Sequence, residues 1–162
     1  MKKSISTATR KKLEIQGFEG YTNAELSKYK AGIRFAYLGC GTIVLLGFLF
    51  SNPIFYYLAL GIAFFGVVLP RHPMDYIYNG TIRKMLDNPA IPRRTTQSKF
   101  ACGIATVWLV SILFFMLNGM TLAYQVATLL LLTQAFIVGT IDFCVPSMIY
   151  NFLFNNKKLI TR

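Results

Sequence analysis

The sequence predicts an all-α, polytopic membrane protein with four transmembrane helices in two hairpins and one interfacial helix on the cytoplasmic side. Residues 35–70 and 100–141 contain no Asp, Glu, Lys, Arg or His. Each run is long enough for two spans of ~20 apolar residues but not for three. All 17 Lys and Arg lie outside them, in residues 2–34, 71–99 and 157–162. This positive-inside pattern predicts a bacterial inner-membrane protein whose termini and central loop face the cytoplasm.

The net charge of +11 on a soluble protein would suggest a nucleic-acid partner. Here the basic residues flank apolar spans, where they meet the anionic headgroups of the cytoplasmic leaflet. We therefore expect membrane lipids as partners and no nucleic acid.

The N-terminal residues 1–21 are polar and basic with little periodicity, which predicts a mobile cytoplasmic arm. Residues 22–162 then form a single membrane domain. Thr22 and Glu25 have the spacing of a capping box, so the first helix begins before the membrane does. Its transmembrane part is expected at about residues 31–50.

The second span is predicted at about residues 54–70, after a turn at residues 51–53. Residues 71–99 form the cytoplasmic loop, in which Pro73 suits the first position of a helix. One face of this helix is apolar, which predicts an interfacial location. That face consists of Met74, Ile77, Tyr78, Ile82, Met85 and Leu86.

The third span is predicted at about residues 100–117, with Thr95 or Thr96 as its N-cap. The fourth follows at about residues 121–141. Pro146 cannot donate a hydrogen bond to the carbonyl four residues earlier, so a kink or break is expected there.

Arg34 and Asp142 are the charged residues nearest to the apolar spans. A charge at this depth either reaches lipid phosphate or water, or pairs with a partner. The pairing alternative predicts a structural ion pair that joins the first helix to the end of the fourth.

Cys40, Cys102 and Cys144 all fall in the cytoplasmic half of the predicted fold. A reducing compartment argues against structural disulfides, and no cysteine spacing or histidine pair indicates a metal site. Cys144 lies at the predicted helix break, near the surface, where a thiol is able to react. It is the leading candidate thiol, with Cys102 as the second.

Other polar residues offer binding rather than catalysis. His72, beside Arg71, is a candidate ligand for a headgroup, a quinone oxygen or a partner carboxylate; the alternative is an ordinary interfacial histidine. Gln125 and Gln134 give the fourth span a polar side, which either hydrogen-bonds neighbouring helices or lines a small pore. Trp108 is expected to be buried between helices.

Two short motifs carry a family resemblance. The Lys-Phe-Ala-Cys of residues 99–102, with the Phe-Cys of residues 143–144 and Tyr150, resembles an uncharacterised bacterial four-helix membrane family, a domain of unknown function. Its pattern places Arg/Lys-Phe-Ala before the third span and Cys-x-x-Cys after the fourth; here Ser147 occupies the second cysteine position. The resemblance covers roughly residues 71–150 and implies an association with thioredoxin-like or sulfur-transfer proteins.

These observations favour a small non-enzymatic accessory or scaffold subunit without a cofactor. A bundle without charges at mid-membrane offers few means of catalysis, whereas Gly32, Ala36 and Cys40 form a small-residue stripe suited to association with other subunits or copies of itself. The alternatives are a thiol or sulfur-transfer component that uses Cys144, and a small-solute permease along Gln134.

Overall fold

The computed structural model describes residues 5–85 and 88–154, which form eight α-helices and no β-strand. The helices are α1 (Thr7–Ile15), α2 (Asn23–Leu49), α3 (Pro53–Val68), α4 (Pro73–Gly80), α5 (Ile82–Met85), α6 (Thr96–Leu117), α7 (Thr121–Ile141) and α8 (Val145–Phe154).

The chain is a polytopic helical membrane protein. By length and composition, α2, α6 and α7 are each able to cross a membrane. The α3 helix is shorter, and the chain bends by 89° between it and Pro73–Met85. If this bent pair is counted as one span, the described residues contain four candidate spans.

The helix starts follow from capping chemistry, as the sequence predicted. Thr22 and Glu25 form the expected capping box at α2. Thr95, rather than Thr96, caps α6 by accepting a hydrogen bond from the Ser98 N–H. Asn52 caps α3, whose first residue is proline, because proline lacks the N–H that this position leaves unpaired.

The main core lies between α2, α3, α6 and α7, toward the end of the bundle opposite the central loop. Tyr56 is fully buried there, and its hydroxyl lies 3.1 Å from that of Tyr124, to which it donates a hydrogen bond. Apolar side chains from all four helices surround this pair, among them Val44, Leu109 and Ile112. The two buried hydroxyl groups thus satisfy each other's hydrogen-bonding requirement.

The expected mobile arm over residues 1–21 is wrong for its described part. Residues 7–15 form α1, and Leu13 and Phe18 are completely or almost completely buried in a second core with α2. Thr95 also donates a hydrogen bond to the Gln16 carbonyl at 2.6 Å. This basic segment contains too few apolar residues to show a helical period, yet Leu13 and Phe18 are enough to dock it against α2.

The predicted interfacial helix is divided into α4 and α5 at Thr81, and Leu86 lies outside the described residues. Met74 and Tyr78 pack inward, whereas Ile77 is 51% and Met85 86% exposed. The described apolar residues therefore do not share one membrane-facing side, because Met74 and Tyr78 pack against the bundle.

The predicted break after the fourth span occurs at Asp142, which ends α7 in the left-handed conformation with φ of 60°. The α8 helix begins at Val145, so Pro146 occupies its first turn, where its missing N–H costs nothing. The reversal brings α8 back against α6.

Candidate functional site

A cavity of about 400 Å³ lies inside the helix bundle. Side chains of α2, α3, α6, α7 and α8 form its walls, and most of them are aliphatic. Polar side chains are few. His72, Arg94 and Ser98 lie at the end toward the central loop, and the others are Tyr37, Gln134 and the three cysteines. Small residues, including Ala59, Ala63 and Ala105, make the space, because no longer side chain extends into it from these positions.

The cavity is open on one side of the bundle. Trp108 of α6, Leu130 of α7, and Val145 and Ile149 of α8 line it while remaining 38–54% exposed. Wall residues from α2 and α3, such as Ala36 and Ala59, are buried instead. The opening therefore lies between α6 and the α7–α8 pair, on an exposed apolar side of the bundle.

A buried ion pair lies at the end of the cavity nearest to the central loop. Arg94 donates two hydrogen bonds to Asp75, from Nε to Oδ2 at 2.6 Å and from Nη2 to Oδ1 at 2.5 Å. The Asp75 side chain is fully buried and that of Arg94 is 3% exposed. The bidentate geometry neutralises both charges. Asp75 is not one of the apolar residues of the predicted interfacial helix, yet its side chain is completely buried.

His72 connects this ion pair to the cavity. Its ring Nδ1 accepts a hydrogen bond from the Met74 N–H at 3.3 Å, and its own backbone N–H donates to Asp75 Oδ2 at 3.1 Å. Burial and then the neighbouring Arg94 lower the pKa of His72 to about 4, although Asp75 acts in the opposite direction. The imidazole is therefore neutral at pH 7, with its proton on Nε2, because Nδ1 accepts a hydrogen bond.

The two candidate thiols, Cys144 and Cys102, line this one cavity, and Cys40 lines it as well. Cys144 is only 3% exposed and accepts a hydrogen bond from Ser147 at 3.2 Å. Its expected location near the surface is wrong, since it packs with Ala101, Val138 and Tyr37. Cys40 and Cys102 are half-buried.

Cys102 is also the thiol nearest to the polar end. A Cβ atom added at Gly66 would lie 3.0 Å from Cys102 Sγ and 3.2 Å from His72 Nε2. The sulfur and the imidazole nitrogen therefore lie on the same side of α3, against one glycine. Only a residue without a side chain leaves room for both.

Arg34 and Asp142 are brought together as the pairing alternative predicted. Arg34 donates to both carboxylate oxygens of Asp142, from Nε at 2.7 Å and Nη2 at 2.8 Å. Lys30 approaches the same carboxylate at 3.3 Å. Asp142 is 1% exposed, so this group holds the end of α7 against α2 away from the cavity.

The remaining predicted residues are dispersed. Arg71 donates to the Ile91 carbonyl at 3.3 Å. Gln134 lines the cavity and donates to the Phe143 carbonyl at 3.5 Å, whereas Gln125 is exposed. These two glutamines do not line a common pore. Trp108 is 38% exposed rather than buried, and its Nε1–H donates to the Ala127 carbonyl.

Within residues 5–85 and 88–154, no three His, Cys, Asp or Glu side chains are grouped as metal ligands would be. The sequence analysis missed the Asp75–Arg94 pair. The spacing of His72 and Asp75 is that of a capping box and was a readable signal for part of this site. Nothing local marks Arg94, because its partner is nineteen residues away.

No curated protein and no solved structure matches the chain. A family model matches residues 30–155, which include the helices around the cavity except the first turns of α2. The chain therefore belongs to the family described as "Domain of unknown function (DUF4395)".

Proposed function

We propose that this protein binds a hydrophobic small molecule that reaches it from within the bilayer. The observation that carries this proposal is the cavity of about 400 Å³ that borders the lipid between α6 and α7–α8. Its volume is within the range of known small-molecule sites, about 300–1,000 Å³, which likewise combine apolar walls with a few polar groups.

The apolar walls favour a ligand with an apolar body. Water gains few hydrogen bonds from aliphatic walls, so a lipid-like molecule that fills the space replaces an unfavourable void with dispersion contacts. A molecule already dissolved in the bilayer also reaches the opening without crossing the charged residues of the central loop.

The proposal includes a topology. We place four spans in the inner membrane with α3 as the second, and the termini and the central loop on the cytoplasmic side. The clustering of all 17 Lys and Arg outside the apolar runs supports this orientation. The Asp75–Arg94 end of the cavity then lies near the cytoplasmic leaflet.

Native mass spectrometry of the protein in nanodiscs made from its own membrane tests the proposal. Ala105→Phe would fill the cavity from α6, whereas Val107→Phe adds the same ring to a 68% exposed position on that helix. We expect wild type and Val107→Phe to retain one small molecule per chain and Ala105→Phe to lose it. A bare chain in all three samples would contradict the proposal.

The accessory or scaffold role stays a prediction and is compatible with ligand binding. In the same experiment, a reproducible mass that includes another protein would support it. The permease alternative also stays a prediction; its test is solute uptake into proteoliposomes that depends on Gln134.

A second candidate function, thiol or sulfur-transfer chemistry, is favoured by the position of all three cysteines around one cavity. Cys144 is its predicted thiol, and Cys102 is the more accessible alternative. Its test is loss of function in Cys144→Ser or Cys102→Ser with Cys40→Ala as the control. Equal tolerance of all three substitutions would contradict it.

A further inference from the structure

The polar end of the cavity contains hydrogen-bond donors without a protein acceptor. His72 is only 6% exposed and lines the cavity. Its Nδ1 is occupied by the Met74 N–H, and no residue in the described part of the chain accepts a hydrogen bond from Nε2. Nε2 is not enclosed by protein atoms, because among the described residues Gln16 Oε1 is the one enclosed side-chain N or O atom without a partner. A molecule in the cavity is therefore able to accept its hydrogen bond.

Arg94 adds a second donor at the same end. Its Nε and Nη2 are both used by Asp75. Among the described residues no acceptor is found for Nη1, although Arg94 also lines the cavity. Two donor side chains therefore line a mostly apolar cavity, whose other polar side chains are those of Tyr37, Ser98, Gln134 and the cysteines.

The charge balance of this end restricts what fits there. Asp75 and Arg94 neutralise each other, and the His72 imidazole carries no charge at pH 7. A carboxylate would be buried in a low-dielectric cavity without a free countercharge, and an ammonium group would meet donors instead of acceptors; both are costly. A pure hydrocarbon would leave the donors unpaired.

We infer that the ligand carries an uncharged carbonyl oxygen that accepts hydrogen bonds from His72 Nε2 and Arg94 Nη1, with its apolar body directed toward the opening between α6 and α7–α8. A lipid-soluble quinone is the simplest molecule of this class. This inference rests on the proposed function, because it names the ligand class of the same cavity.

The only tryptophan of the chain provides the assay. Trp108 lines the cavity, so a quinone bound there quenches its fluorescence at short range. The probe is decylubiquinone, titrated into nanodiscs that contain the purified protein. Two competitors are compared: methyl undecyl ketone, which has a carbonyl group, and tridecane, which has none. They have the same number of carbon atoms as each other.

Two substitutions separate the donor of His72 from its role as a helix cap. His72→Asn keeps an acceptor at the N-cap, where asparagine is favoured, but has no donor at the position of Nε2. His72→Gln has its amide nitrogen near that position and loses the cap. If His72 acted only as a helix cap, His72→Gln would lower both the melting temperature and the affinity for decylubiquinone more than His72→Asn does.

We expect saturable quenching in wild type and in Val107→Phe, and its loss in Ala105→Phe. We expect His72→Asn to melt like wild type but to bind decylubiquinone about tenfold more weakly, the effect of one buried hydrogen bond. His72→Gln should melt at a lower temperature and retain the affinity of wild type. The ketone should displace decylubiquinone at a lower concentration than tridecane does.

Two results would overturn the inference in distinguishable ways. If His72→Asn binds like wild type and tridecane competes as well as the ketone, the cavity binds ligands but does not select a carbonyl group. If the quenching of wild type equals that of Ala105→Phe, the quinone only collides with Trp108 from the bilayer. The proposed function then fails together with the inference.

Discussion

Replacing Arg94 by leucine should destabilise the protein more than any surface substitution, because it leaves the carboxylate of Asp75 buried without a partner. Asp75 is fully buried, and Arg94 supplies both hydrogen bonds that its side chain receives from another side chain. Removing one member of such a pair costs about 3–5 kcal/mol.

That free energy corresponds to a large thermal shift. With about 2–4 °C per kcal/mol for a chain of this size, the melting temperature should fall by about 10 °C. The assay is thermal unfolding of the purified protein in mild detergent. Arg93→Leu is the matched control, since Arg93 is adjacent and exposed, and it should change the stability by less than about 0.5 kcal/mol.

A double-mutant cycle isolates the pair itself. Asp75→Asn removes the charge but keeps an oxygen for the His72 N–H. The double variant Asp75→Asn/Arg94→Leu should therefore be more stable than the sum of the two single effects predicts. Equal melting temperatures of Arg94→Leu and Arg93→Leu would refute the reasoning.

Three further predictions concern other parts of the structure. Asp142→Asn keeps a residue that tolerates φ of 60° but releases Arg34; it should cost about 2 kcal/mol in the same melting assay, and no loss would contradict a structural role for the pair. His72 has a folded pKa of about 4, below its ordinary 6.5, so its stabilising contribution is present above pH 6.5 and is lost as the pH falls toward 4. Wild type should lose about 3 kcal/mol more than His72→Asn over that interval; parallel pH profiles would contradict this. In single-cysteine variants, a lipid-soluble maleimide should modify Cys144 more slowly than Cys102, because Cys144 is buried and Cys102 only half-buried; the reverse order, followed by mass spectrometry, would argue against the cavity geometry.

The bundle was readable from the sequence because its signals are local. Charge-free runs and caps such as Thr22 and Thr95 depend on neighbouring residues only. The Arg34–Asp142 pair was also predictable, since Asp142 is the one acidic residue among the four charges that directly adjoin the charge-free runs. The docking of residues 7–15 was not, because it depends on two side chains that meet α2.

The candidate site depends on long-range geometry and was predicted only in fragments. His72 and the cysteines were singled out one by one as types of residue able to bind or react. That they border one cavity follows from the reversal at Asp142, which brings α8 against α6, and from small residues that leave a space. Neither the cavity nor the pairing of Asp75 with Arg94 has a local sequence pattern.

A crystal structure of the protein grown from a lipidic mesophase would test the central claim most directly. Our account predicts elongated non-protein density in the cavity, with an oxygen within hydrogen-bonding distance of His72 Nε2 and an apolar tail between α6 and α7–α8. A cavity that contains only ordered water, or one closed by approach of α6 to α8, would contradict it.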